Sequence, residues 1–254
     1  MEDRQQIEDR QQIKNRRSIK DRQPIKDRQQ IEKIEDMEDG QQEDKAYIED
    51  AGTSLMALHI PESDYDMLVI PYKDATANLL VRLDALNRDY RLKYKNYPIH
   101  HIQNRIKRRE SIEKKLMKKN LTVSAEEARE NLTDIAGVRI ICYFEEDIYS
   151  VVALIKKQAD ILVLIEKDYI QNPKENGYMS YHLIIGMPVY HTDGMEYYPV
   201  EIQLRTMTMD LWASMEHRIC YKEDGIADDK RGKFKDMSSQ LQNMEREIRM
   251  MADH

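Results

Sequence analysis

At 254 residues the chain has room for one domain of ordinary size plus an appendage. Its formal net charge of -7 excludes a protein whose main work is coating nucleic acid, since neutralising phosphates takes surplus Lys and Arg. Local basic clusters remain able to hold small phosphorylated ligands, and RNA binding is not indicated. The two cysteines, Cys142 and Cys220, lie far apart with no metal-ligand spacing, which argues against a disulfide framework or a zinc site. No apolar run approaches the ~18 residues of a membrane span and the N-terminus lacks a signal-peptide core, so a cytoplasmic protein is expected.

The first residues fall into sixes, MEDRQQ, IEDRQQ, IKNRRS, IKDRQP, IKDRQQ, IEKIED and MEDGQQ, each with little apolar content. A six-residue step advances a helix by ~600°, so successive Ile residues land about 120° apart and build no single stripe. Residues 1–50 are therefore expected to be a disordered or loosely helical appendage, with a functional arm as the alternative. Residues 51–71, marked by Gly52 and Pro61, read as an irregular connector.

From Asp74 the apolar residues Leu79, Leu83, Leu86, Tyr90, Tyr94 and Tyr97 recur at helical steps, predicting one buried face of a long helix stopped by Pro98. A short strand is expected over 99–106, and a basic helix from about Ser111 to Lys119. Another helix should start at Ser124, with Glu127 completing a capping box. Residues 136–144 read as a buried strand, 147–157 as helix and 161–165 as strand. Two further strands, 181–189 and 197–205, flank a turn at Asp193-Gly194, and 207–221 returns to helix. The interleaving predicts an α/β (α+β) fold, a mixed sheet flanked by helices.

Eight basic residues crowd the window from Arg105 to Lys119, beginning on the expected strand. A solvated helix face is the plain alternative, but Ser111 stands where a helix N-terminus would offer amides to an anion. Asp134 opens the strand at Ala136, with Arg139 five residues later. In Pro199-Val200-Glu201-Ile202-Gln203-Leu204-Arg205, strand alternation puts Glu201, Gln203 and Arg205 on one face and Val200, Ile202 and Leu204 on the other. A row of Glu, Gln and Arg inside a sheet is costly unless it faces a ligand. Asp134 and Glu201 together would suit a hard divalent cation, Mg²⁺ beside phosphates. Between them, a Pro- and Gly-bearing loop with Asn176, Tyr178 and His182 has the side chains to stack a base and read its edge.

The ordered strings RIKRRESIEKK, DIAGVR, KDYIQNPKENGYMSYH, VEIQLRT and WASMEHRICYK resemble the synthetase domain of RelA/SpoT proteins, in particular its single-domain branch, the small alarmone synthetases. The resemblance spans roughly residues 72–222. It implies a nucleotidyltransferase-like fold that moves pyrophosphate from ATP to the 3′-hydroxyl of GDP or GTP, with GMP a further candidate acceptor. Arg105, Lys107, Ser111, Lys115 and Arg139 would then bind ATP. Asp134 and Glu201 would bind Mg²⁺ and act in catalysis, Glu201 orienting or deprotonating the hydroxyl. Tyr178 would stack on guanine, with Lys167, Lys174, Asn176, His182, Gln203, Arg205 and Glu216 around the acceptor. No His-Asp dipeptide suggests the hydrolase of the long members, so synthesis alone is expected. A nucleotide-sensing or RNA-binding regulator on the same fold, or another nucleotidyltransferase, is the alternative.

The C-terminal segment, residues 223–254, carries Phe234, Met237, Leu241, Met244, Ile248 and Met251 at alternating three- and four-residue steps, the spacing of a heptad seam. It would either pack on its own domain or join subunits. The family resemblance, which implies symmetric oligomers and typically tetramers, favours the second.

Overall fold

The computed structural model describes residues 59–220 and 228–252. The hexad repeat and the first part of the expected connector lie outside the described residues.

The first element, α1, spans Glu62–Tyr94 and starts twelve residues before Asp74, inside the expected connector. Pro61 precedes it, its carbonyl accepting from the Asp64 and Tyr65 amides, and Glu62 and Asp64 place acid in the first turn, where the helix dipole favours it. Pro71 is accommodated within the helix. The buried face is also displaced toward the N-terminus. Leu68, Val69, Tyr72, Ala75, Thr76, Leu79 and Leu83 are buried, whereas Tyr94 and Tyr97 are exposed. The C-terminal turns of α1 instead pair their aromatics locally, Tyr90 with Tyr94 at 4.5 Å and Arg91 over the Tyr97 ring. The helix ends at Lys95, whose left-handed φ of 58° closes the last turn, before Pro98 is reached.

The remaining elements follow in order: β1 Ile99–Ile106, α2 Arg109–Lys118, α3 Ala125–Asn131, β2 Ala136–Cys142, α4 Glu145–Lys156, β3 Leu162–Asp168, β4 Tyr181–His191, β5 Gly194–Thr206, α5 Met207–Cys220 and α6 Asp228–Ala252. At α3, Ser124 Oγ accepts from the Glu127 amide at 3.1 Å. Glu127 turns its carboxylate to the Asn131 side chain, so the expected box is only half made. The β4–β5 turn uses Gly194 at φ 136°, which a side chain would strain.

One five-stranded mixed sheet results, in the order β1-β2-β5-β4-β3. Its only parallel pair, β2 with β5, aligns Gly137 with Glu201 and Arg139 with Gln203. Helix α1 lies across β1, β2, β4 and β5, with Tyr72 meeting Tyr198 edge-on at 5.3 Å. Val200, Ile202 and Leu204 are fully buried in the core. Their odd-numbered neighbours on β5 face the other way. Cys142 is a buried free thiol whose pKa burial drives upward.

Before α1, the chain is fixed by Glu113 of α2, a carboxylate only 3% exposed that accepts from the Ile60 amide at 2.9 Å. His59 Nδ1 lies 3.2 Å from the same group. Replacing it as Glu113→Ala should leave the Ile60 amide buried and unpaired, lowering stability by about 1–3 kcal/mol. The check is a lower urea midpoint at unchanged m. An unchanged midpoint would mean that water satisfies that amide.

Candidate functional site

The sheet's polar face is organised by register. Across β1, β2, β5 and β4 one row runs Arg105, Gly137, Glu201, Ile184, and the next runs Gln103, Arg139, Gln203, His182, with Lys167 of β3 beside His182. A cleft of about 180 Å³ lies over these rows, lined by Gln103, Asn104, Arg105, Gly137, Val138, Arg139, Glu201 and Gln203. Gly137 leaves the floor between Arg105 and Glu201 low. The Arg105 side chain crosses it, and a β-carbon there would sit 3.7 Å from Arg105 Cγ.

Asp134 stands just ahead of β2, two residues before the Ala136–Val200 pair. Its Oδ2 accepts from the ammoniums of Lys107 and of Lys115, the latter at 3.0 Å. Burial alone would raise its pKa, but Lys115 and Lys107 together bring it down to about 2, so the carboxylate is ionised at any physiological pH. The other oxygen, Oδ1, is buried and has no hydrogen-bond partner. An ionised carboxylate with one uncommitted oxygen, near Glu201 of the adjacent strand, fits a hard divalent cation. Among the described residues no group of three or more His, Cys, Asp or Glu could enclose a metal. A cation that takes one or two carboxylates and completes its shell with water and phosphate suits this pair.

The loop from Lys174 to Tyr178 is closed by its own bonds: the Gly177 amide donates to the Lys174 carbonyl at 2.9 Å, and the Lys174 amide to the Tyr178 carbonyl at 3.1 Å. Asn176 Oδ1 accepts from the Tyr178 amide. The Tyr178 ring is buried, with Trp212, Ala213 and Phe234 for company. Lys174 Nζ lies 5.3 Å and Arg205 Cζ 5.1 Å from its centroid. Cations therefore flank the ring that the sequence reading offers as a stacking platform. Its hydroxyl accepts from Arg205 Nη2 at 2.7 Å and lies 2.9 Å from His182 Nε2. His182 Nδ1 is in turn 3.7 Å from Glu201 Oε1, linking the loop to the cleft.

Asp210, at a position where the family resemblance leads one to expect Asn, belongs to this network. Asp210 Oδ1 lies 3.3 Å from Arg139 Nη1 and 3.3 Å from Arg205 Nη1, serving as shared counter-ion to two guanidiniums. Burial lowers the Arg139 pKa, and the neighbouring Arg205 charge lowers it further. Arg205 is only 5% exposed, yet its pKa is raised: burial would lower it, but Tyr178 and Asp210 outweigh that. An acid in the first turn of a helix is ordinary, and nothing in the sequence showed that Asp210 would serve as a shared counter-ion.

Arg105, Lys107, Lys115, Asp134, Arg139, Glu201, Gln203, Arg205, Tyr178 and His182 are thus gathered along one face. Glu216 is half-buried on α5, one turn beyond Trp212. Ser111 departs from expectation. Helix α2 begins two residues earlier, at Arg109, so Ser111 is exposed in its first turn with its amide already bonded to the Arg108 carbonyl at 3.0 Å.

The depressed Asp134 pKa has a definite sign in stability. Its contribution, about 2 kcal/mol, is complete above the unfolded value of 3.8 and is lost as pH falls from there through about 2. Asp134→Asn should therefore flatten the fall of unfolding free energy across that window. An unchanged slope in acid titrations would show that the two lysines do not hold the carboxylate.

Comparison with known proteins identifies the family. Residues 104–226 match the family model described as the region found in RelA/SpoT proteins. A GTP pyrophosphokinase of Bacillus subtilis, YwaC, is 46% identical over 170 residues, covering 67% of this chain and 81% of the relative. A second from the same organism, YjbM, is 34% identical over 164 residues, covering 65% of this chain and 76% of the relative. Among solved structures, small alarmone synthetase 2 of Bacillus subtilis superposes with a TM-score of 0.67 at 38% identity, over 75% of this chain and 98% of that one. Small alarmone synthetase 1 bound to its product pppGpp gives 0.68 at 30% identity, over 76% and 98%. Sequence and overall fold agree, and the chain belongs to the RelA/SpoT family.

Proposed function

We propose that this chain is a GTP pyrophosphokinase, synthesising (p)ppGpp by transferring pyrophosphate from ATP to the 3′-hydroxyl of GDP or GTP. The observation that carries the reading is the pair of registered rows over the cleft, with Glu201, Arg105 and Arg139 along them and the ionised Asp134, held by Lys107 and Lys115, at the entry to β2. The 3′-oxygen attacks the β-phosphorus of ATP, the bond from that phosphorus to the α-bridging oxygen breaks, and AMP departs. Such transfers depend on charge neutralisation and in-line positioning. Arg105, Arg139, Lys107 and Lys115 supply positive charge to the ATP phosphates. Asp134 and Glu201 would hold Mg²⁺, which adds neutralisation of the transferring group. Glu201 orients the 3′-hydroxyl and takes its proton, with His182 behind it. Tyr178, Asn176, Lys174, Lys167, Gln203, Arg205 and Glu216 form the guanosine side. A guanine stacked on Tyr178 takes the place of one flanking cation.

Incubating the protein with ATP, Mg²⁺ and each of GMP, GDP and GTP, with anion-exchange separation, should yield AMP and pyrophosphorylated guanosine in equal amounts. Free pyrophosphate as product would overturn the assignment. Glu201→Gln and Asp134→Asn should each reduce synthesis at least ~100-fold. Activity within a few-fold of wild type would remove that residue from the mechanism.

The proposal extends to a cytoplasmic homotetramer. Support for the compartment comes from the nucleotide substrates and the buried free Cys142, and no described helix is long and apolar enough to cross a membrane. Support for assembly comes from exposed apolar side chains on α5 (Met207, Leu211, Met215 and Ile219) and on α6 (Met237, Met244, Ile248 and Met251). Phe234 and Leu241 pack on this chain's own Tyr178–Trp212 cluster, so they leave the seam expected of the whole segment. Met244→Asp with Ile248→Asp should shift the particle to a smaller species in light scattering. A wild-type monomer at micromolar concentration would refute assembly.

A further inference from the structure

The inner face of α6 reaches the loop assigned to the acceptor. Gly177 has φ +92°, and a β-carbon built on it would lie 3.0 Å from Ser238 Cβ and 3.2 Å from the Lys235 backbone. The loop and α6 are therefore in direct contact, with no room for a side chain between them. Ser238 is 7% exposed, and its hydroxyl donates to the Gly177 carbonyl at 2.7 Å. Four residues earlier on the same face, Phe234 packs edge-on to Trp212 at 6.0 Å, and its carbonyl accepts from the indole N–H at 2.7 Å. Trp212 in turn meets the edge of Tyr178 at 6.3 Å. Further along, Glu245 accepts from Thr206 Oγ1 at 2.6 Å and from Thr208, at the end of the strand that bears Glu201, Gln203 and Arg205.

Tyr178 is consequently held from two sides. Its hydroxyl is fixed by Arg205 and His182 on the sheet, and its backbone is fixed through Gly177 by α6. A loop pinned only at the hydroxyl would leave the ring free to tilt about that point. A second anchor at the preceding carbonyl removes the tilt, which is preorganisation of the kind that raises affinity by reducing ordering on binding.

We propose that Ser238 is a positioning residue for the guanosine acceptor, so that the C-terminal helix completes the acceptor site without touching the nucleotide. This rests on the reading that the Lys174–Tyr178 loop takes the acceptor. Its consequence is selective: the donor side is built on β1, α2 and β2, whereas the Ser238 hydroxyl is committed to the Gly177 carbonyl, so the donor side keeps its affinity.

The test is steady-state kinetics of Ser238→Ala against both substrates. A parallel GDP titration follows the emission of Trp212, the chain's single tryptophan. Loss of one buried hydrogen bond predicts an acceptor KM and a GDP dissociation constant about tenfold higher, with the KM for ATP and the saturated kcat within about twofold. Gly177→Ala forces a β-carbon against Ser238 and the Lys235 backbone, strains the loop at its positive φ, and should raise the acceptor KM further. Should either variant fold poorly, seen as lost near-UV dichroism, the other decides. Acceptor and donor KM rising together, or an acceptor KM unchanged in both variants, would overturn the proposal. Tyr178→Ala separates the two layers. If it leaves the acceptor KM unchanged, the assignment of the loop itself fails. If it raises that KM while Ser238→Ala and Gly177→Ala do not, only the role of α6 fails.

Discussion

The parallel pairing of β2 with β5 is the constraint on which the rest depends. It sets Gly137 beside Glu201 and Arg139 beside Gln203, while the intervening Val138, Ile202, Ile140 and Leu204 enter the core. Side chains on a strand alternate, so a slip of one residue would drive Glu201 and Gln203 into the core and expose three aliphatic residues. Burial of those aliphatic side chains against α1 therefore also fixes where the carboxylate and the arginine face the cleft. The energy that folds the sheet is the energy that holds the site in register.

Charge within that frame is handled by sharing. Arg139 and Arg205 lie on the same side of the sheet and disfavour each other's charge, and Asp210 is placed to offset both. Lys107 and Lys115 share Asp134 in the same way. Each arrangement leaves a polar atom buried and unsatisfied: Oδ1 of Asp134, and Nε of both Arg139 and Arg205. Orphans of this kind are uncommon in finished protein interiors, where nearly every buried polar atom is paired. These three lie on the face proposed to meet phosphates and metal, whose oxygens and charge are suited to completing them, whereas the buried orphans of Tyr72, Arg109 and Gln158 lie elsewhere.

How much of this was legible varies with how local the signal is. The β5 alternation from Val200 to Arg205 needed only period two, and the structure reproduces it. Strands around Ile99, Ala136 and Tyr181 followed from short apolar or β-branched runs bounded by turns. The start of α1 was missed because Gly52 and Pro61 read as punctuation, although proline is tolerated just before a helix, and Pro71 is absorbed inside this long one. The tyrosines at 90, 94 and 97 continue the helical spacing, but the sheet beneath α1 does not extend under the last turns, and spacing alone carries no information on where a partner surface ends. Ser111 was misplaced by two residues because Arg108 offers no side-chain cap to mark the boundary. Ser238 acts only through a contact across a sequence separation that no periodicity records, and the counter-ion role of Asp210 was hidden because it looks like routine helix-end charge.

The C-terminal helix shows why an apolar repeat underdetermines its use. Phe234 and Leu241, seven residues apart, turn inward to the Tyr178–Trp212 cluster, together with the polar Ser238 and Glu245. Met237, Met244, Ile248 and Met251 point outward. A strict heptad seam would put all six apolar residues on one surface, whereas here polar hydrogen bonds on the inner face divide the set into two. The inner set is committed to the chain's own loop, and the outer set is the exposed one on which the proposed assembly rests. Because both lie on a single rigid helix, anything that shifts the outer face also bears on the Gly177 carbonyl one turn beneath it. The proposed subunit packing and the proposed acceptor geometry thereby fall on the same twenty-odd residues, and a substitution there has to be read on both axes before either role is assigned.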